Sequence, residues 1–188
     1  MITTTILEQR ALAGDTEAQF RLGYRYAFSR KVGERDCKKA MRWWKPASSQ
    51  GHVRAQFYLA VCYESGTGCK KNWPEALSLY KKAALAGHSE AQYNLGYSYL
   101  NGDGVRKNYR IALKWMMSAA AAGNDQAQND LGYIYFYGLG VAKSDLLAKY
   151  WYRLSAKQGN MSAKRNLADI RVTNQNIASS RMKKRKSN

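Results

Sequence analysis

A 36-residue period runs through nearly all of this chain of 188 residues, and it leaves few folds open. The string Gly-x-x-x-Ala-(Gln/Lys)-x-x-Leu starts at Gly14, Gly51, Gly87, Gly123 and Gly159. The last three intervals are each 36 residues and the first is 37. A second marker, Ala40, Ala76, Ala112 and Ala148, steps by 36 throughout. The extra residue of the first unit therefore lies between its two marked segments. Fixed self-similarity of this length is the signature of stacked supersecondary units, each too small to bury its own apolar face.

Each unit reads as two helices. Ala91, Leu95, Gly96 and Tyr99 fall on one face of a 3.6-residue helix, and Ala76, Leu79, Tyr80, Ala83 and Ala84 do the same for a second. Gly-x-Gly between them supplies the positive φ of a tight reversal. Asn72, Asn108 and Ser144 stand where the second helix needs an N-cap, and Pro74 sits in its first turn. Trp43, Trp115 and Trp151 share a position with Leu79 and are predicted core. Pro46 is predicted to kink or shorten its helix. The turn Ser29-Arg30-Lys31-Val32, which lacks the Gly-x-Gly of later units, is predicted to be reshaped.

The string Ala-Gln-x-x-Leu-Gly-x-x-Tyr-x-x-Gly-x-Gly-Val, followed by Ala-x-x-Trp and a small pair, resembles the Sel-1-like repeat, a relative of the tetratricopeptide repeat. The match covers roughly residues 14–168, as four full units and a fifth first helix. The resemblance implies an all-α, right-handed α-solenoid whose first helices line a concave face. It also implies an adaptor that holds other proteins. The expected organisation is a capping helix over 1–13, a repeat solenoid over 14–172, and a basic, disordered tail over 173–188.

On the first helices, the side opposite the core carries Phe20, Tyr24 and Phe28, then Arg54, Phe57, Val61 and Glu64, then Glu90, Tyr93, Tyr97, Leu100 and Asn101, then Gln126, Asn129, Tyr133, Phe136 and Tyr137, with Arg165 and Asp169 on the fifth. Aromatic rings among polar neighbours suit a docked peptide or helix. The expected partner groove is therefore Phe20, Tyr24, Phe57, Tyr93, Tyr97, Asn129, Tyr133 and Tyr137.

Charge points to the partner's sign. Lys and Arg number 31 against 13 Asp and Glu, for a net +18. The last eighteen residues hold six of the bases and no acid, so the repeats themselves are basic. Lys70, Lys71, Arg106, Lys107 and Lys143 follow the turns, and Lys183, Lys184 and Arg185 sit in the tail. Such an edge favours an acidic protein, and it equally suits a nucleic-acid backbone. A regulator or immunity-type inhibitor of a single acidic target is a third reading.

Nothing in the pattern builds a catalytic or cofactor site. Gly66-Thr67-Gly68-Cys69-Lys70-Lys71 lacks the phosphate-loop frame and is one of three matching turns. Cys37, Cys62 and Cys69 are too few and too spread for a zinc site. His52 and His88 occupy the repeat position of Asp15, Asn124 and Asn160, a helix start or exposed turn. Met1–Thr5 lacks the basic start and apolar core of an export leader, so a cytoplasmic protein without membrane span, metal or cofactor is expected.

Overall fold

The computed structural model describes residues 2–29 and 35–170. Helices α1 (Ile2–Leu12), α2 (Thr16–Phe28), α3 (Cys37–Ser49), α4 (Val53–Ser65), α5 (Trp73–Leu85) and α6 (Ser89–Asn101) lie in one compact unit. Helices α7 (Tyr109–Ala121), α8 (Asp125–Tyr137), α9 (Asp145–Lys157) and a last helix over 161–170 lie in a second. The units divide between Lys107 and Asn108. Within the first, each helix packs on the next in chain order; within the second, α7 packs on α8 and α8 on α9. Among the described residues no strand occurs, and no helix is long and apolar enough to cross a membrane.

Local chemistry sets the helix boundaries. Asp36, Asn72, Asn108 and Ser144 each accept a hydrogen bond from the backbone N–H three residues on, which fixes the start of α3, α5, α7 and α9. Helices α4, α6 and α8 end on Gly66, Gly102 and Gly138 in the left-handed region, as the turn motif predicts. Helix α2 ends instead on Ser29 with an extended backbone. The rest of that turn, residues 30–34, lies outside the described residues, as do residues 171–188 with Lys183, Lys184 and Arg185.

Two expectations need correcting. Pro46 does not shorten α3, which has the same 13 residues as its counterparts. Its carbonyl accepts from the Gln50 N–H at 3.2 Å and from Ser49 Oγ at 2.8 Å, so the last turn stays closed. Of the two neighbouring core positions expected in the second helices, the later is the fully buried one, although Leu79 at the earlier is buried as well. The later position is filled by Trp44, Tyr80, Met116 and Tyr152, while Trp43, Trp115 and Trp151 are half-buried on the flank. In the first and fourth repeats a facing glycine makes room for the ring, whereas Tyr80 is buried with Ala60 at the equivalent position. A Cβ on Gly23 would lie 2.5 Å from Trp44 Cδ1, and one on Gly132 would lie 2.5 Å from Tyr152 Cδ1. The absent side chain leaves the slot that the large ring enters.

The glutamine of the repeat marker also has a structural task. Gln19, Gln56, Gln92 and Gln128 donate from Nε2 to the carbonyls of Ala11, Ser48, Ala84 and Ala120 at the end of the preceding helix. Each satisfies a carbonyl that the helix terminus leaves open. In the first and last repeats the amide oxygen is also used, by Gln50 and Gln158.

Candidate functional site

The first helices start on caps of two kinds. Asp15 and Asn124 cap α2 and α8 through a side-chain oxygen. His52 and His88 cap α4 and α6 through Nδ1, which accepts from the N–H of Ala55 at 3.2 Å and of Ala91 at 3.4 Å. Their rings are covered rather than exposed. His52 stacks on Phe20 with centroids 4.6 Å apart, and His88 stacks on Phe57 at the same distance. With Nδ1 accepting, His52 donates from Nε2 to Glu17 at 3.1 Å. Hydrogen bonds from His52 and Arg21 hold the Glu17 carboxyl below its ordinary range.

His88 is a pH-sensitive cap. Burial holds its pKa below the ordinary histidine value; Glu90 pulls it up and Arg54 pushes it further down. Protonation would place a hydrogen on Nδ1 and turn it from the Ala91 N–H toward Glu90, whose Oε2 is 3.2 Å away. A folded pKa below the unfolded one means that the unfolded chain binds more protons. This contribution is therefore complete above the unfolded pKa of about 6.5 and is lost as pH falls through the folded value. His88→Asn keeps the cap without the titration. Between pH 7.5 and 5, wild type is expected to lose about 2–4 °C more in melting temperature than the variant, for a cap worth about 1 kcal/mol. Parallel falls in a pH series of thermal melts would refute the assignment.

The structure divides the expected groove residues into two sets. Phe20 is only 2 % exposed, because His52 and Arg54 cover it, with the Arg54 guanidinium 4.5 Å from the ring centroid. Phe57 is half-buried between His88 and Tyr58. Tyr93 is half-buried beside Tyr97, and Leu100 is buried. The amide of Asn129 is engaged by Asp130 and Asn166. Glu64 accepts the buried Tyr80 hydroxyl, whose pKa burial and that carboxylate push far up. These side chains are covered by packing or engaged by neighbouring groups.

The second set faces water. Tyr24, Tyr97 and Tyr133 occupy one repeat position and are 40 %, 44 % and 45 % exposed. One turn further on, Phe28 and Tyr137 are exposed as well, with centroids 4.5 Å from Tyr24 and Tyr133 respectively. The first compact unit thus presents Tyr24, Phe28 and Tyr97, and the second presents Tyr133 and Tyr137. Tyr58 was not foreseen. It packs edge-on to Tyr24 and Phe28 and stacks on Trp44 at 5.2 Å, which fixes the exposed pair to the core. Its repeat counterparts are Arg21, Asn94 and Asp130, so the period carried no aromatic signal there.

Of the expected basic edge, Lys70, Lys71, Arg106 and Lys107 are exposed in the first unit and Lys143 in the second. Lys71 and Lys143 lie over the rings of Trp73 and Phe136. Burial pushes the Cys62 thiol up to about 12, so it is a packing group rather than a nucleophile. Among the described residues no three His, Cys, Asp or Glu side chains are placed to hold a metal ion.

Comparison with known proteins matches residues 16–52, 53–88, 89–124 and 125–160 to the Sel1 repeat. The chain belongs to the Sel1 repeat family. Each matched segment joins one first helix to the second helix after it and closes on the next cap. Sel1 repeat proteins generally mediate protein–protein interactions, and the family is typically a non-catalytic scaffold. The fold class is accordingly the all-α solenoid of helix-turn-helix Sel1 repeats. The crystal structure of c5321, a protective antigen of uropathogenic Escherichia coli strains with an SLR fold, is 38% identical at a TM-score of 0.80. It aligns over 85% of this chain and 34% of that one. A Sel1 repeat protein from Oxalobacter formigenes is 38% identical at a TM-score of 0.78, over 83% of this chain and 62% of its own. DAP3-binding cell death enhancer 1 of Rattus norvegicus is 37% identical over 73 residues, 39% of this Sel1 repeat chain and 14% of that protein. This chain therefore spans less than two thirds of the length of each of these relatives.

Proposed function

We propose that this chain is a non-enzymatic interaction module that holds a peptide or helix of another protein against exposed aromatic rings on its first helices. Its basic surface favours an acidic partner. The observation that carries this reading is the exposure of Tyr24 and Tyr97 in the first unit, and of Tyr133 at the same repeat position in the second. A core residue has no reason to leave two-fifths of its ring in water at three equivalent places. Large, stiff rings with a polar tip are the side chains that anchor protein interfaces. The sulfur, histidine and carboxylate groups nearby are occupied with caps and packing, which leaves the rings as the groups free to meet a ligand.

The test is a random 12-residue peptide library displayed against the full chain, followed by affinity measurement on the enriched peptides. Tyr97→Ala/Tyr133→Ala is expected to weaken them by about tenfold or more, the loss typical of removing an interface anchor. Both rings face water, so the melting temperature should barely move. Undiminished binding by a stable double variant would remove the aromatic face as the binding surface.

A further inference from the structure

The face described above is not aromatic throughout. Where α2 meets α4, a cavity of about 350 Å³ opens to solvent, lined by Glu17, Phe20, Arg21, Tyr24, Arg25 and Arg54. That volume is within the range of pockets that take a ligand group. Three guanidinium groups and one carboxylate share it, so the pocket keeps a net positive charge although Arg21 is paired with the carboxylate. Glu17 Oε1 accepts from Arg21 at 2.6 Å and Oε2 from His52 at 3.1 Å. Arg54 is held in place, its guanidinium lying on the buried ring of Phe20. Its nearest acid in the next first helix is Glu90, which already accepts from Ser89 and neighbours His88. Tyr24, one of the exposed rings, forms the wall.

We propose that the Arg21–Arg25–Arg54 pocket takes a carboxylate side chain from an acidic segment of the partner protein. This rests on the reading of the first-helix face as a protein-binding surface, and it adds where the acidic group sits. A planar guanidinium fixed on an aromatic floor presents its N–H edge outward, which matches a carboxylate in geometry as well as sign. A lysine edge such as Lys70-Lys71 attracts from a distance but fixes no orientation. Entry of a carboxylate here would neutralise excess positive charge while its carbon stem packs on Tyr24.

The experiment uses the same displayed library and the full chain. Enriched peptides are expected to contain Asp or Glu, and one is labelled and titrated with its Asn/Gln counterpart as control. Arg21→Ala/Arg25→Ala should weaken the acidic peptide at least about tenfold, and the amide counterpart should bind wild type as poorly. Removing both partners should cost little more than removing one, which marks a direct contact. Lys70→Ala/Lys71→Ala should leave affinity within about twofold at physiological salt. Peptides that depend on Tyr97 and Tyr133 but not on the arginines would overturn this proposal and leave the protein-binding face intact. Peptides that depend on the arginines but not on the tyrosines would place the fault in the aromatic reading. Losses of equal size in the lysine and arginine variants would reduce the pocket to part of a general field and overturn it. Binding only when a Ser in the peptide is phosphorylated would overturn the carboxylate as its ligand.

Discussion

Trp44→Ala is expected to destabilise the chain by about 3–5 kcal/mol, and Trp43→Ala, one residue away, by about 1 kcal/mol. The two side chains are chemically identical and differ only in where α3 points them. Trp44 is fully buried, donates from Nε1 to the Phe20 carbonyl at 3.2 Å, and stacks on Tyr58. Removing it empties the slot opposite Gly23 and undercuts Tyr58, on which Tyr24 and Phe28 lean. Trp43 is half-buried against the cluster of Ala11, Ala18 and Leu22, where a truncation is partly filled by solvent. Denaturant titrations of both variants decide the matter; equal losses would mean that the buried register is wrong. Gly23→Ala gives an internal check. In wild type its methyl would overlap the indole, whereas in Trp44→Ala it has room, so the double variant should be more stable than the sum of the single losses predicts.

That register was half visible in the sequence. Alternate core positions of a second helix fall three or four residues after Ala40, and Trp43-Trp44 or Trp151-Tyr152 offers an aromatic at both. One step along a helix is about 100°, so both flank the apolar stripe and periodicity alone cannot rank them. For Trp44 and Tyr152 the ranking shows in their fit against Gly23 and Gly132 on the facing helix, that is, in a contact between elements. What was legible is what a chain segment decides for itself: the hairpins, the caps at Asn72, Asn108 and Ser144, and the glycine reversals. The candidate site was less so. Tyr24, Tyr97, Tyr133 and Tyr137 are exposed as their helical phase implies, but Phe20 is covered by His52 and Arg54 from the next repeat. The same covering brings Arg54 beside Arg21 and Arg25, so the arginine pocket exists only once α2 and α4 have packed. The marker glutamine was equally opaque, because its partner is a backbone carbonyl that any residue could supply.

The second large effect is expected at Gly104, where the turn motif offers one reason for glycine and the structure adds another. Gly104 has φ +67°, and Gly87, at the end of α5 in the same unit, has φ +88°. An alanine at either meets the left-handed penalty of about 1–2 kcal/mol. At Gly87 a Cβ would find nothing within 4 Å, so Gly87→Ala should cost about that much and no more. At Gly104 it would lie 2.6 Å from both Cβ and Cγ of Trp73, the first residue of α5. The Trp73 Cβ is tied to the backbone and cannot swing aside as a side-chain tip would. Relief requires the turn to lift off the helix start it rests on, an overpacking loss of about 1–3 kcal/mol. Gly104→Ala should therefore cost about 2–5 kcal/mol in all, clearly more than Gly87→Ala in side-by-side urea titrations. The turn after α4 rests on the start of α3 in the same way, since a Cβ on Gly68 would lie 2.8 Å from the Cys37 carbonyl carbon. The second glycine of the Gly-x-Gly turn thus serves as the seat of one repeat on its predecessor. Equal losses at Gly87 and Gly104 would mean that the turn yields freely and that repeat-to-repeat seating does not pass through it.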